Sequence, residues 1–211
     1  MLSGPIIYPI TEGLAEASNF GEQQARIRAN AVAAAESGIG LFQIREKRLS
    51  ARSLFELAQA VVSATEGSGL GVIVNGRPDV AAAAGAAGVH LPADGLPAAA
   101  VRRSFGPEFL IGVSCHSVDE LLAARTGGAD FATFSPVFAS PGKGEPTGIE
   151  RLRAAAARFA GFPVIALGGI SLDDISAVLA AGASGAAAIR ALNTPEKIGE
   201  FAARAKTYFD E

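Results

Sequence analysis

The sequence predicts a single α/β domain over residues 1–211, a (β/α)8 TIM barrel in which eight parallel strands alternate with helices. Three observations predict it. Short apolar runs rich in Val, Ile and Phe recur along the chain, and each is followed by a stretch with apolar residues at helical spacing. The connections are short with one exception, and strand-then-helix repetition demands parallel strands joined by right-handed crossovers. The alternative, an open doubly wound sheet, uses fewer strands in this length and carries a glycine-rich turn after its first strand, which is missing after Ile10.

Taken in order, residues 4–10 read as the first strand, with irregular ends at Pro5 and Pro9. Residues 22–37 form a helix with Ile27, Ala31, Ala34 and Ala35 on one side, ended by Gly38. Residues 39–44 make the second strand, and Arg45, Glu46 and Lys47 lie just past its end. Leu54, Leu57, Ala58, Val61 and Val62 then mark the clearest helical stripe in the chain. Residues 69–74 supply the third strand; Asn75, Gly76 and Arg77 stand at its exit, and Pro78 opens an alanine-rich helix closed by Gly85. Residues 88–91 are a short fourth strand and 96–103 a short helix.

The fifth strand covers 109–113 and leads into Ser114, Cys115, His116 and Ser117. Ser117 and Glu120 have capping-box spacing ahead of a helix carrying Val118, Leu121 and Leu122. Residues 130–134 are the sixth strand. The stretch 135–148 is rich in Pro, Gly and Ser, with Lys143 near its middle; so long a loop in a compact chain is usually functional. A helix over 149–159 precedes a strand that ends in Gly168-Gly169, and Ser171 caps the next helix. The eighth strand lies within 183–192, and Thr194-Pro195-Glu196 starts a last helix with Ile198, Phe201, Ala202 and Ala205 inward.

At 211 residues and 49% hydrophobic, the chain suffices for one well-buried core. A net charge of -3 without long runs of one sign argues against nucleic acid and anionic membrane as partners, and leaves anionic small ligands open. The single cysteine, Cys115, excludes an intrachain disulfide and a multi-cysteine metal site. No secretory signal and no apolar run of membrane-spanning length is evident, which predicts a cytoplasmic protein. The alanine-rich outer helices would suit a homodimer.

In such a barrel the strand ends converge on one mouth. Gly168-Gly169 can present backbone N–H groups to an anion beside a helix start, although a Gly-Gly pair serves equally well as a tight turn. Arg190 occupies the matching point of the next strand. Arg45, Lys47, Arg77, Lys143 and Arg190 in one cavity would repel each other unless a polyanion compensated, so phosphate or diphosphate is the predicted ligand. Plainer roles compete for each residue. Glu46 and Lys47 could pair with helix charges on the surface, Asn75 could finish its strand, and Cys115 reads as a buried apolar group. His90 reads as a satisfied barrel-end histidine and His116 as a loop brace. Lys143 alone lacks a structural reason for its position.

Several motifs carry a resemblance over nearly the whole chain: Phe42-Gln-Ile-Arg-Glu-Lys47, Val74-Asn-Gly-Arg77, Gly88-Val-His-Leu91, Ile111 to Ser117, Ser135-Pro-Val-Phe-Ala-Ser-Pro-Gly-Lys143 and Ala166-Leu-Gly-Gly-Ile170. Together they resemble the thiamine phosphate synthase and thiazole tautomerase superfamily of (β/α)8 barrels. The resemblance implies a transferase acting on phosphorylated pyrimidine and thiazole small molecules. Gln43 and Ser114 would hold the pyrimidine; Arg45, Lys47, Asn75 and Lys143 the leaving diphosphate; Ser140, Gly168, Gly169, Ile189 and Arg190 the thiazole phosphate. It also implies Mg2+, held by two aspartates. Gly76 stands at the first of those positions and Gly95 at the second, which leaves Asp94, one place early, as the metal candidate. The tautomerase relatives do without that metal, but their catalytic histidine belongs where Pro136 stands. A thiazole tautomerase and a non-catalytic binder of thiamine precursors or product therefore remain alternatives to the transferase.

Overall fold

The computed structural model describes residues 5–142 and 144–210. Eight strands form one parallel sheet: β1 Ile6–Pro9, β2 Leu41–Ile44, β3 Gly71–Asn75, β4 Gly88–Leu91, β5 Leu110–Cys115, β6 Phe131–Phe134, β7 Val164–Leu167 and β8 Gly185–Ala188. Their order, β1-β8-β7-β6-β5-β4-β3-β2, is that of a barrel opened between its first two strands. Ile10 closes it by a parallel bridge to Gln43, reinforced where the Thr11 amide donates to the Gln43 carbonyl at 3.0 Å.

Helices α1 Phe20–Glu36, α2 Ala51–Ala64, α3 Pro78–Ala83, α4 Ala98–Phe105, α5 Val118–Thr126, α6 Gly148–Arg158, α7 Ile175–Ala180 and α8 Pro195–Asp210 follow the strands in turn. In α2, Leu54, Leu57, Ala58 and Val61 are buried and Ser50 caps the start, accepting from the Ser53 amide at 3.1 Å. In α8, Ile198, Phe201, Ala202 and Ala205 face inward as their spacing predicts. Three starts differ from expectation. Helix α1 begins at Phe20 rather than at residue 22. Helix α4 begins at Ala98 rather than at residue 96, because the residue before a proline is pushed out of the helical region and Pro97 becomes the cap. Ser171 caps a single 3-10 turn, Leu172–Asp174, that leads into α7. Gly4, part of the predicted first strand, lies outside the described residues.

Strand alternation divides the apolar residues between two cores. Ile6, Tyr8, Ile10, Leu41, Ile73, Phe131, Ile165 and Ala187 fill the barrel interior. Ile7, Phe42, Ile44, Val72 and Val74 face the helices. A β-carbon at Gly112 would meet the Phe131 ring and lie 2.7 Å from Nδ1 of His90, so glycine there makes room for two interior rings. Packing thus seals one end of the barrel and leaves the C-terminal ends of the strands open.

Candidate functional site

That open end holds a cavity of about 360 Å³ above the interior rings. Its floor is a polar chain across four strands. Gln43 of β2, 1% exposed, donates from Nε2 to the Tyr8 hydroxyl of β1 at 2.8 Å. The same hydroxyl lies 3.4 Å from Nδ1 of His90 on β4, and His90 Nε2 lies 3.0 Å from the Ser114 hydroxyl of β5. Burial holds the Tyr8 hydroxyl protonated, far above its ordinary range, and pushes the His90 imidazole down to about 3. The ring is therefore neutral and carries one proton. With Gln43 already donating to the Tyr8 oxygen, the Tyr8 proton is directed at Nδ1; Nε2 then donates to Ser114, whose own proton is left for the cavity.

The cationic wall grows from the end of β2. Alternation sends Gln43, Arg45 and Lys47 to the cavity, and all three line it. Arg45 is anchored through its backbone amide, which donates to the Thr11 hydroxyl at 2.8 Å. Glu46 turns the other way. Its carboxylate is only 3% exposed and accepts from the amides of Gly13 at 3.1 Å and Ala15 at 2.8 Å. The expectation of a surface ion pair for Glu46 is corrected: it fixes the loop after β1 by two charge-assisted bonds. Among the described residues, the charged ends of Arg45 and Lys47 have no carboxylate within ion-pair distance.

A second, more open cavity of about 830 Å³ adjoins the first and shares Arg45, Ser140, Leu167, Gly168 and Ile189 with it. Its own wall adds Gly169, Arg190 and Lys197, the last a cation that sequence reasoning missed because it lies inside α8. Both glycines have left-handed backbone, φ 99° and 66°. A β-carbon at Gly168 would lie 2.7 Å from Cα of Pro136, and one at Gly169 2.9 Å from the Phe138 carbonyl carbon. The loop after β6 is held against them, since Val137 donates to the Leu167 carbonyl and Phe138 to the Gly168 carbonyl, each at 2.9 Å. The pair therefore makes a tight turn and also opens a backbone wall. Among the described residues, the amides of Gly169, Ile170, Ile189 and Arg190 donate no backbone hydrogen bond.

The other candidates fall as follows. Asn75, Asp94, Ser114 and Ser140 line the first cavity. Arg77 does not join the wall: its guanidinium binds Asp79 through Nε at 2.8 Å and Nη2 at 2.6 Å, outside both cavities. That corrects its place among the mouth cations, and the cause is a carboxylate only two residues away. Lys143 lies outside the described residues. His116 braces the loop after β6, its Nδ1 donating to the Ser135 carbonyl at 2.8 Å. Cys115 is fully buried, and burial with the nearby Glu120 charge pushes its thiol up to about 12.

Asp94 is exposed on the rim, and the described residues hold no group of three His, Cys, Asp or Glu able to grip a metal. The donor set does not fit the carboxylate pair that the resemblance implies for magnesium.

Residues 7–192 match the family model described as thiamine monophosphate synthase. The chain is 40% identical to a thiamine-phosphate synthase of Moorella thermoacetica over 158 residues, 74% of this chain and 75% of that one. It is 39% identical to a thiamine-phosphate synthase of a Roseiflexus species over 193 residues, 90% of this chain and 78% of that one. A solved thiamine phosphate pyrophosphorylase from Pyrococcus furiosus superposes with a TM-score of 0.81 at 26% identity, covering 96% of each chain.

Proposed function

The chain belongs to the thiamine monophosphate synthase family, and on that premise we propose how its mouth joins a pyrimidine-methyl diphosphate to a thiazole phosphate, giving thiamine phosphate and diphosphate. It is a transferase of the thiamine-phosphate synthase type. The carbon–oxygen bond of the pyrimidine substrate breaks heterolytically, and the electron pair leaves on the diphosphate. The thiazole nitrogen then gives its lone pair to the resulting carbocation, forming the carbon–nitrogen bond.

The observation that carries this reading is the shared wall. Arg45, Ser140, Gly168 and Ile189 line both cavities, so a leaving group in one and a nucleophile in the other stand side by side. Gln43 and Ser114 hold the pyrimidine: the Gln43 carbonyl oxygen accepts from its amino group, and the Ser114 hydroxyl, polarised through His90, donates to a ring nitrogen. Arg45 and Lys47, with the Asn75 amide, meet the charge that develops on the departing diphosphate, which is where preorganised electrostatics count most. Ser140, the backbone from Gly168 to Ile170, and Ile189 with Arg190 receive the thiazole phosphate. The isomerase alternative has Pro136 where its histidine belongs and would need His116 or His90 instead; His116 is held to the Ser135 carbonyl and His90 is buried in the floor.

The test is direct. Purified protein supplied with both substrates should form thiamine phosphate. Failure to form it with magnesium present or absent, while thiazole phosphate still binds, removes the reading.

A further inference from the structure

Residues 92–95 form a turn closed by the Gly95 amide, which donates to the Pro92 carbonyl at 2.9 Å. The Gly76 amide, at the end of β3, donates to the His90 carbonyl at 2.8 Å, and this brings the two glycines that stand at the family's carboxylate positions to the same neighbour. A β-carbon at Gly76 would have Cδ of Pro92 as its near contact, at 3.9 Å. A β-carbon at Gly95 would lie 2.9 Å from that same atom and 3.0 Å from both Cγ and the carbonyl oxygen of Pro92.

The two positions differ in what they allow. Gly76 has φ 68°, a left-handed backbone that Asp adopts at modest cost, and the space around it is open. A side chain at Gly95 would be crowded by Pro92 and could enter only if the turn shifted, because the obstructing atoms belong to a stiff ring and to backbone. The same ring atom, Cδ of Pro92, is thus a near neighbour of both places from which carboxylates would have to reach a common ion, and a magnesium ion needs oxygens at about 2.0–2.1 Å in near-octahedral array.

Charge points the same way. Carboxylates at 76 and 95 without their ion would repel a diphosphate, whereas glycine at both leaves Arg45 and Lys47 facing it, with Asp94 the one carboxylate among the described residues lining the first cavity.

We propose that the Pro92 ring occupies the place of the family's divalent-cation site, and that this chain binds the diphosphate group without a protein-held cation. This rests on the synthase reading for the identity of the diphosphate, but its test does not need turnover. Isothermal titration with inorganic pyrophosphate should give wild-type affinity in EDTA at least as tight, within about threefold, as in excess magnesium. Binding about tenfold or more tighter with magnesium overturns the proposal, and so does an absence of pyrophosphate binding in both conditions. The combined variant Gly76→Asp, Pro92→Gly, Gly95→Asp should lose about tenfold in EDTA and recover it with magnesium, while Gly95→Asp with Pro92 retained should gain no magnesium dependence. If the combined variant does not fold, the wild-type titration decides alone. Thiamine phosphate formed only with magnesium would sink this proposal and leave the synthase reading standing. No thiamine phosphate under either condition would sink the synthase reading, and the pyrophosphate titration would still judge this one.

Discussion

The Tyr8 hydroxyl accepts a hydrogen bond from Nε2 of Gln43 at 2.8 Å, although the two residues are 35 positions apart, and Tyr8 is wholly buried. The bond fixes which end of the Gln43 amide faces the cavity, and so decides that the floor offers an acceptor there and a donor at Ser114.

Replacing Tyr8 with Phe leaves the Gln43 N–H and His90 Nδ1 without their partner in a dry setting, at a cost of about 1–3 kcal/mol. Gln43 is then free to turn. The expected outcome is a lower unfolding free energy in urea and a KM that rises for the pyrimidine substrate much more than for thiazole phosphate.

His90 sets a pH dependence whose sign follows from burial, which lowers its pKa from the ordinary 6.5 to about 3. Between those values the unfolded chain binds a proton that the folded chain refuses, so this group's contribution to stability falls as pH drops from about 6.5 toward 3, by on the order of 1 kcal/mol per pH unit. Urea titrations of wild type and His90→Asn at pH 7, 5.5 and 4.5 should show the wild type losing more stability on acidification. Parallel losses would contradict the neutral assignment.

Glu46→Gln presents an amide N–H₂ to one of two backbone donors that now share a carboxylate. Loss of a charge-assisted bond predicts a destabilisation of about 1.5–3 kcal/mol. Hydrogen exchange should accelerate first at Gly13 and Ala15, before the strands respond.

Arg45 and Arg77 make a matched pair for mutagenesis. Arg45→Ala removes an unpaired cation from the shared wall and should lower kcat by about a hundredfold or more. Arg77→Ala removes only an exposed pairing with Asp79 and should change stability by less than about 0.5 kcal/mol, with activity intact. Equal losses from both would place the diphosphate elsewhere.

Gly169→Ala combines a left-handed backbone with a β-carbon pressed on Phe138 and the Ala139 carbonyl. Strain and crowding together should cost about 2–4 kcal/mol and weaken thiazole phosphate binding. Gly142→Ala, with φ 73° but open space, is the control and should cost only about 1–2 kcal/mol.

The sequence by itself determined the barrel, because helical and strand periods are local and each amphipathic stretch declares its buried face. It also determined that Gln43, Arg45 and Lys47 share one side, since strand alternation has a period of two. Only the tertiary structure decided what those residues meet. Glu46 finds the amides of Gly13 and Ala15, and His90 joins Tyr8 to Ser114, through strand pairings that no local pattern specifies. Arg77 leaves the mouth for Asp79 because a flexible side chain takes the nearest carboxylate. The approach of Gly76 to Pro92 is of the same kind: each reads as an ordinary turn residue, and they meet only because β3 and β4 lie side by side, whereas the crowding of Gly95 by Pro92 is local to one turn.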